Sequence, residues 1–580
     1  MAIWRSHGSA HGRRSRGARA VGVCLLACTA IAAPALTTGA NAAHTRRIAT
    51  AQDLWITPAD YTHPDAMYAL EVQVLGKDHA LEHLGERNMA ARLVAEGKIV
   101  IQGTTPPPSG PANQVGQWTA PFTPPNSSAQ AIGVHAILFN TGKVLLFGGY
   151  FDTNDQTLAT DAFLYNPVDG SAVEVDPPHN TFCAGEVLLQ DGSLLVVGGR
   201  GGNTHPTPGT PYVLRFDPVS ETWQEQPQTT LGRYYPTTTE LPDGRVLITT
   251  GNMTTGQVNR TVEVFTPGVG SAQGSLQTVM NNVVLDLYPK QYVMPNGQVL
   301  IIQHNLTSLL DTTAWKLTKL PNLSISRKNN PSSALLPAAP GAPETKVFIT
   351  GGAQSQRGDT TATSEIFDDD NPTAGWKPAA SMPNPRTHMN VIYLPDGTIA
   401  GIGGNSFDRF GTPQYAALNY NPTLDSWTTW ASQTLRRAYH STALLLPDGR
   451  ILSAGDTGPG GGGTRLEIFS PPYLFQGPRP VVTSVSGSQF DYAGNIDITT
   501  DSPVSRVVLI HPTAVTHAND MSGRFVELVK TVNSDGSVTA SMPANANLAQ
   551  PGYWMMFVLN SANVPSVATW VHLGPMNYGG

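Results

Sequence analysis

The stretch from Thr181 to Gly199, TFCAGEVLLQDGSLLVVGG, contains the unit from which most of the chain is built. It reads as an apolar strand, a tight Asp191-Gly192 turn, a second apolar strand and the pair Gly198-Gly199. Asp-Gly and Asn-Gly favour hairpins because they accept the positive φ of a tight two-residue loop. The landmark recurs about every 50 residues. It runs from Thr141-Gly142 to Gly148-Gly149, Asp243-Gly244 to Gly251, Asn296-Gly297 to Gln303, Asp396-Gly397 to Gly403-Gly404 and Asp448-Gly449 to Gly455. KVFITGG (346–352) supplies one more member with an altered turn, which makes seven. A second landmark closes the units: Asn166-Pro167, Phe216-Asp217-Pro218 with Trp223, Phe265-Thr266-Pro267, Phe367 with Trp376, Asn421-Pro422 with Trp427, and Phe469-Ser470-Pro471.

Short Val/Ile/Leu-rich strands at this period predict an all-β fold. Seven four-stranded blades form a kelch-type β-propeller over residues 116–470. Residues 43–115 form an N-terminal extension, with a surface helix over 80–98 and a Pro-rich linker, TTPPPSGP (104–111). Residues 471–580 carry alternating strands such as SRVVLIHP (505–512), GRFVELVK (523–530) and YWMMFVL (553–559). They are expected to form an immunoglobulin-like β-sandwich of the early-set type.

The first 42 residues read as an export signal. Arg5, Arg13, Arg14, Arg16 and Arg19 precede an apolar stretch from Ala20 to Ala33, and the segment ends Ala40-Asn41-Ala42. Arg13-Arg14 leaves a twin-arginine route open, and Leu25-Leu26-Ala27-Cys28 a lipoprotein-like site. Cleavage removes five positive charges from a chain of net charge −7. An acidic, secreted and monomeric protein is expected, bound neither to nucleic acid nor inserted in a membrane. With 57 glycines, 47 prolines and only 13% charged residues, helical bundles and charged disordered tails are excluded. Cys24 and Cys28 leave with the signal, so Cys183 remains alone and cannot form an internal disulfide. Composition by itself reads it as a buried small hydrophobe.

In a propeller, equivalent offsets lie on one ring around the axis. Eight residues before each turn Asp or Asn stand Cys183, Tyr235, Tyr288, His388 and His440, with Tyr439 beside the last. Any one of these fits ordinary channel hydrogen bonding. Together, a thiol, phenols and imidazoles on one level have redox and metal capability. Two imidazoles with phenolate oxygens and an open position suit Cu(II), whereas zinc more often recruits carboxylates or several thiolates. A second imidazole is needed, and His517 in HPTAVTHAND (511–520) is a candidate on a hairpin inserted into the channel.

Over residues 116–575 the chain resembles the copper-radical oxidases, galactose oxidase and glyoxal oxidase. The motifs are TFCAGEVLLQDGSLLVVGG (181–199), RYYPTTTELPDGRVLITTG (233–251), RRAYHSTALLLPDGRILSAG (436–455), SPPYL (470–474) and AVTHAND (514–520). The resemblance implies one copper ion held by Tyr235, Tyr439, His440 and His517, with Tyr439 axial. It implies a thioether between Cys183 and Tyr235 that stores a radical. Tyr439 would then act as base toward the substrate, and dioxygen would leave as hydrogen peroxide.

Departures from galactose oxidase shape the expected substrate. Met253 stands where that enzyme stacks a tryptophan on the cross-linked pair, and Trp315 is an alternative cover. Pro289 stands at the place of its sugar-binding arginine. The LYPK run (287–290) that holds Pro289 and the context Tyr234-Tyr235-Pro236 look closer to glyoxal oxidase, and a small aldehyde, as its hydrate, or a primary alcohol is favoured. Tyr288 and His388 are expected to line the pocket, with Arg386 or Arg437 assisting. The Gly460–Gly463 run reads as a surface turn, since no helix follows it. The alternative function is a non-catalytic propeller that binds glycans or proteins at the cell surface. No carboxylate pair occurs on the ring to support a hydrolase.

Overall fold

Each repeat folds as one antiparallel sheet. The computed structural model of the chain describes residues 110–124, 132–148, 161–202, 208–328, 330–354, 360–407, 412–456 and 463–575, and Leu84 alone before them. The signal (1–42), the linker before Gly110, Gly149 and most of the Gly460–Gly463 run lie outside these residues. So does the helix read over 80–98, except Leu84, which is helical.

Seven blades follow in chain order, with inner strands 135–138, 185–188, 237–240, 290–293, 332–335, 387–393 and 441–445. Six blades run outward through consecutive strands. The seventh has three of its own, 441–445, 451–455 and 467–470, and takes its outermost strand from Gln117–Trp118. The two ends of the propeller sequence therefore share one sheet, which closes the ring and removes an exposed edge.

The aromatic landmark explains why the closure is specific. Phe216 faces Trp223, Tyr420 faces Trp427 and Phe469 faces Trp118 as cross-strand partners. Each Trp indole N–H then reaches the preceding blade. Trp223 donates to Val175 O, Trp427 to Ala380 O, and Trp118 to Ala431 O at 2.9 Å. In the seventh blade Trp118, from the other end of the propeller sequence, takes this place.

The hairpins differ in detail from expectation. Gly192 and Gly449 have φ of +83°, but their Asp neighbours do not have positive φ. Gly192 N–H bonds Leu189 O, and Leu189 N–H bonds Ser193 O. This is a three-residue loop, a type I turn followed by a left-handed glycine, rather than a two-residue turn. Asp191 instead accepts Ser193 N–H through its carboxylate. The glycines ending the second strands serve the contact between blades. A Cβ at Gly198 would collide with the carbonyl of Arg233, and one at Gly403 with that of Arg437.

Arg386 and Arg437, read above as pocket residues, are internal. Arg386 is 1% exposed and donates to Gly403 O and Ala416 O, both at 2.9 Å. Arg437 donates to Gly455 O and Arg465 O and lies 3.8 Å from Glu467. Their guanidinium groups satisfy carbonyls at strand ends. Arg233 with Glu263 and Arg327 with Glu365 repeat the arrangement at 2.7 and 3.0 Å. The signal was present as Glu-Val-Phe, Glu-Ile-Phe and Glu-Ile-Phe at 263, 365 and 467. Glu263→Ala leaves the Arg233 charge buried without its carboxylate. It should cost about 3–5 kcal/mol of stability, read as a lowered denaturation midpoint.

The sandwich pairs a four-stranded sheet (482–485, 495–500, 538–541, 530–532) with a five-stranded one containing 506–510 and 552–559. The strand 552–559 is apolar on both faces for a reason. Trp554, Met556 and Val558 fill the sandwich core. Met555, Phe557 and Leu559 join a cluster with propeller residues Met389 and Leu444. Among the described residues no helix is long and apolar enough to cross a membrane.

Candidate metal and radical centre

The ring position has one backbone conformation. Cys183, Tyr235, Tyr288, His388 and His440 have φ of +55°, +64°, +46°, +58° and +64°. Left-handed backbone is costly for side-chain-bearing residues and marks strained functional positions. Here it aligns peptide groups along the ring. Tyr235 N–H bonds Cys183 O at 3.0 Å, and Tyr288 N–H bonds Tyr235 O at 3.1 Å. His388 N–H bonds Asn330 O at 3.1 Å. Asn330, φ +34°, is thus the fifth blade's member, hidden from the repeat count by that blade's altered turn.

A hairpin from the sandwich domain brings the second imidazole. Strands 514–516 and 519–520 extend the first blade inward, pairing His135 with Thr516 and Ile137 with Ala514. His517 and Ala518 form the tip, both left-handed. Thr516 Oγ1 donates to Val134 O at 2.9 Å, so it accepts from His517 Nδ1 at 2.7 Å. That fixes the proton on Nδ1 and leaves the Nε2 lone pair facing the centre. Buried Lys290 donates to Ala518 O at 2.7 Å, and burial pushes its ammonium down to about 7.

Cys183 Sγ lies 3.4 Å from His517 Nε2 and 3.6 Å from His440 Nε2. These three ligand atoms fall within 4.8 Å of one another. Tyr235 Oη and Tyr439 Oη are 2.5 Å apart. The Tyr439 ring stacks on His440 at 3.6 Å, and His388 meets Tyr439 edge-on at 5.2 Å. Cys183, Tyr439, His440 and His517 are at most 2% exposed, whereas Tyr235 is half-buried. The donor set fits a cupric ion: two imidazole nitrogens, one of a fixed tautomer, and two phenol oxygens close enough to share one cation.

Tyr288 and Met253, two of the expected pocket residues, have different settings. Tyr288 packs on Tyr235 and His517 at 4.7 and 4.9 Å, but its hydroxyl is committed to Ala184 O at 2.6 Å. Burial, with Cys183 adding to it, raises the Tyr288 phenol well above the ordinary range. Met253 lines a groove of about 670 Å³ on the third blade with Leu231, Gln257, Arg260 and Asn282. Its neighbour Asn252 exchanges backbone hydrogen bonds with Tyr234. Trp315, read as a possible cover, instead packs with Leu247, Val264 and Leu310 between strands. Edge-on rings surround Tyr235 in its place: Tyr234 at 4.4 Å, Tyr288 and His517.

Sequence reasoning missed a buried pair behind Cys183. His135 Nδ1 lies 2.9 Å from Glu186 Oε2, with neither side chain exposed. Burial raises the Glu186 carboxyl above its usual range, offset in part by His135. A histidine two places from the ring, and a glutamate inside an otherwise apolar inner strand, were the available signals.

Asp520 ties the hairpin by accepting the N–H groups of Ala514, Ser522 and Gly523. Burial pushes its carboxyl up to about 6 against those bonds. The folded state therefore holds this proton more tightly than the unfolded chain. The resulting stability is full below about pH 4 and is lost as pH rises through about 6. Asp520→Asn should flatten this part of the melting-temperature profile between those limits, in a wild-type versus variant comparison.

A family model described as glyoxal oxidase N-terminus matches residues 152–471, and one for the galactose oxidase-like early set domain matches 479–573. The aldehyde oxidase GLOX of Vitis pseudoreticulata is 29% identical, covering 73% of this chain and 88% of the relative. A galactose oxidase of Gibberella zeae is 27% identical over 68% of this chain and 61% of its own length. A solved fungal alcohol oxidase of the AA5 family, in complex with copper, shares the fold with a TM-score of 0.67 at 24% identity, covering 80% of this chain and all of that one. With more than half of its length matched by the first of these models, the chain belongs to the glyoxal oxidase and galactose oxidase-like family of copper-radical oxidases.

Proposed function

We propose that this protein is a secreted mononuclear copper-radical oxidase. Its substrate is a small aldehyde, as the hydrate, or a primary alcohol, and its second product is hydrogen peroxide. The observation that carries this reading is the convergence of Cys183, His440 and His517 within 4.8 Å beside the 2.5 Å Tyr235–Tyr439 contact. Four blade or hairpin segments meet there, and a binding surface needs no such donor set.

Tyr235, Tyr439, His440 and His517 would hold the copper. When bound, it supplies a one-electron couple and Lewis acidity at an open position. Cys183 and Tyr235 join through a thioether, in which the thiol and the ring each lose one hydrogen. The two protons and two electrons pass to dioxygen, which leaves as hydrogen peroxide. The sulfur then delocalises an unpaired electron on Tyr235. In turnover, Tyr439 Oη accepts the substrate's hydroxyl proton and Tyr235 Oη takes a hydrogen from its carbon. Overall the substrate gives up two electrons and two protons, and dioxygen takes both. Tyr439 is 2% exposed, and the half-buried Tyr235 remains within reach of the substrate.

A small aldehyde or primary alcohol agrees with Pro289 standing where galactose oxidase carries its sugar-binding arginine. Arg386 and Arg437 are spent on internal carbonyls and contribute nothing to that choice. The test is the denatured intact mass of the mature protein after exposure to copper and air. It should be two hydrogens below the sequence mass, and the protein should form peroxide from a panel of aldehydes and alcohols. Full sequence mass together with no peroxide from the panel would sink the reading.

A further inference from the structure

The His135–Glu186 pair has one contact that its burial alone does not require. Cys183 N–H donates to His135 Nε2 at 3.1 Å. A backbone N–H can only donate, so Nε2 carries the lone pair and Nδ1 carries the proton. That proton faces Glu186 Oε2 at 2.9 Å. The imidazole is held flat against Phe147, with ring centroids 4.4 Å apart and planes 3° apart. Ring position, tautomer and hydrogen-bond direction are therefore all fixed.

The consequence falls on Cys183. Its carbonyl accepts Tyr235 N–H at 3.0 Å, and its N–H is taken by His135. Both polar backbone groups of this left-handed residue, φ +55°, are thereby pinned. The strand carrying His135 also pairs with Thr516, which sets the His517 tautomer. At the equivalent ring place in the first blade stands Gly133, which offers no side chain. His135, two residues further, reaches across to the second blade instead.

We infer that His135 and Glu186 form a positioning dyad that sets the Cys183 sulfur against the Tyr235 ring for thioether formation. This rests on the reading of the centre given above. The dyad transfers no electrons; the bond forms with the balance already stated, and dioxygen is the oxidant.

The experiment follows the loss of two hydrogens by intact mass, over time, after Cu(II) is added in air to the copper-free full mature chain. His135→Phe keeps a ring beside Phe147 but removes the acceptor for Cys183 N–H. Glu186→Leu removes the partner that fixes the tautomer, and Glu186→Gln retains an acceptor. The first two should form the thioether about 10–100-fold more slowly, as for other residues that orient a metal centre's ligands, with Glu186→Gln close to wild type. Melting temperature is measured alongside. If His135→Phe does not fold, the contrast between Glu186→Leu and Glu186→Gln gives the same reading. A lowered melting temperature with an unchanged rate of mass loss would mean that the pair only packs, and would overturn the dyad. Failure of the wild-type chain itself to lose two hydrogens would overturn the centre, and the dyad with it.

Discussion

Cys183→Ala is expected to bind copper, keep its full sequence mass and lose peroxide formation by on the order of 10⁴-fold in kcat, as when a residue acting within a catalytic unit is removed. The size follows from what the side chain does. His440, His517 and both phenol oxygens remain, so the donor set for the metal is intact. What the variant removes is the sulfur that the proposed thioether would place on Tyr235, and with it the ease of holding an unpaired electron there. Packing is a minor term. Cys183 is fully buried among Ile132, Val134, Phe182 and Tyr234, and alanine leaves a void the size of one sulfur atom. Alanine also tolerates a φ of +55° no worse than cysteine. Copper content and melting temperature should stay near wild type, which separates lost chemistry from lost folding. Activity retained to within tenfold would remove the thioether from the mechanism.

How much of this was legible in the sequence depends on the range of each interaction. The ring of Cys183, Tyr235, Tyr288, His388 and His440 was readable because a repeat converts chain offset into position in space. Asn330 was not, since the fifth blade's longer turn moves it out of the eight-residue offset. The closure by Trp118 was hidden because its partner Phe469 is far along the chain. His517 was found as a candidate from residue type, but the reason for its orientation, the hydroxyl of Thr516, is a matter of hydrogen-bond direction. Arg386 and Arg437 were misread for an opposite reason. Their nearness to ring histidines suggested the pocket, whereas a guanidinium beside left-handed strand ends is drawn to buried carbonyls. The His135–Glu186 pair joins neighbouring blades 51 positions apart, so neither residue's own context announces the other.

Tyr439→Phe is the complementary experiment, because it should leave the thioether in place and still abolish most turnover. Phenylalanine preserves the stack on His440 at 3.6 Å and the edge contact with His388 at 5.2 Å, so the ring's packing survives. It deletes one atom, the Oη that lies 2.5 Å from Tyr235 Oη. If that oxygen accepts the substrate's proton, kcat should fall by about 10²–10⁴-fold, the usual worth of a positioned base. KM should change much less, since the lost interaction is one made as the proton moves. The intact mass should still be two hydrogens low, because Cys183, Tyr235 and their shared backbone hydrogen bond are untouched. The two variants thus divide the centre: Cys183→Ala loses the mass change and the activity together, while Tyr439→Phe loses activity alone. A Tyr439→Phe protein with near-normal kcat would mean that the proton leaves by another group, and His388, edge-on to the same ring, would be the first to substitute.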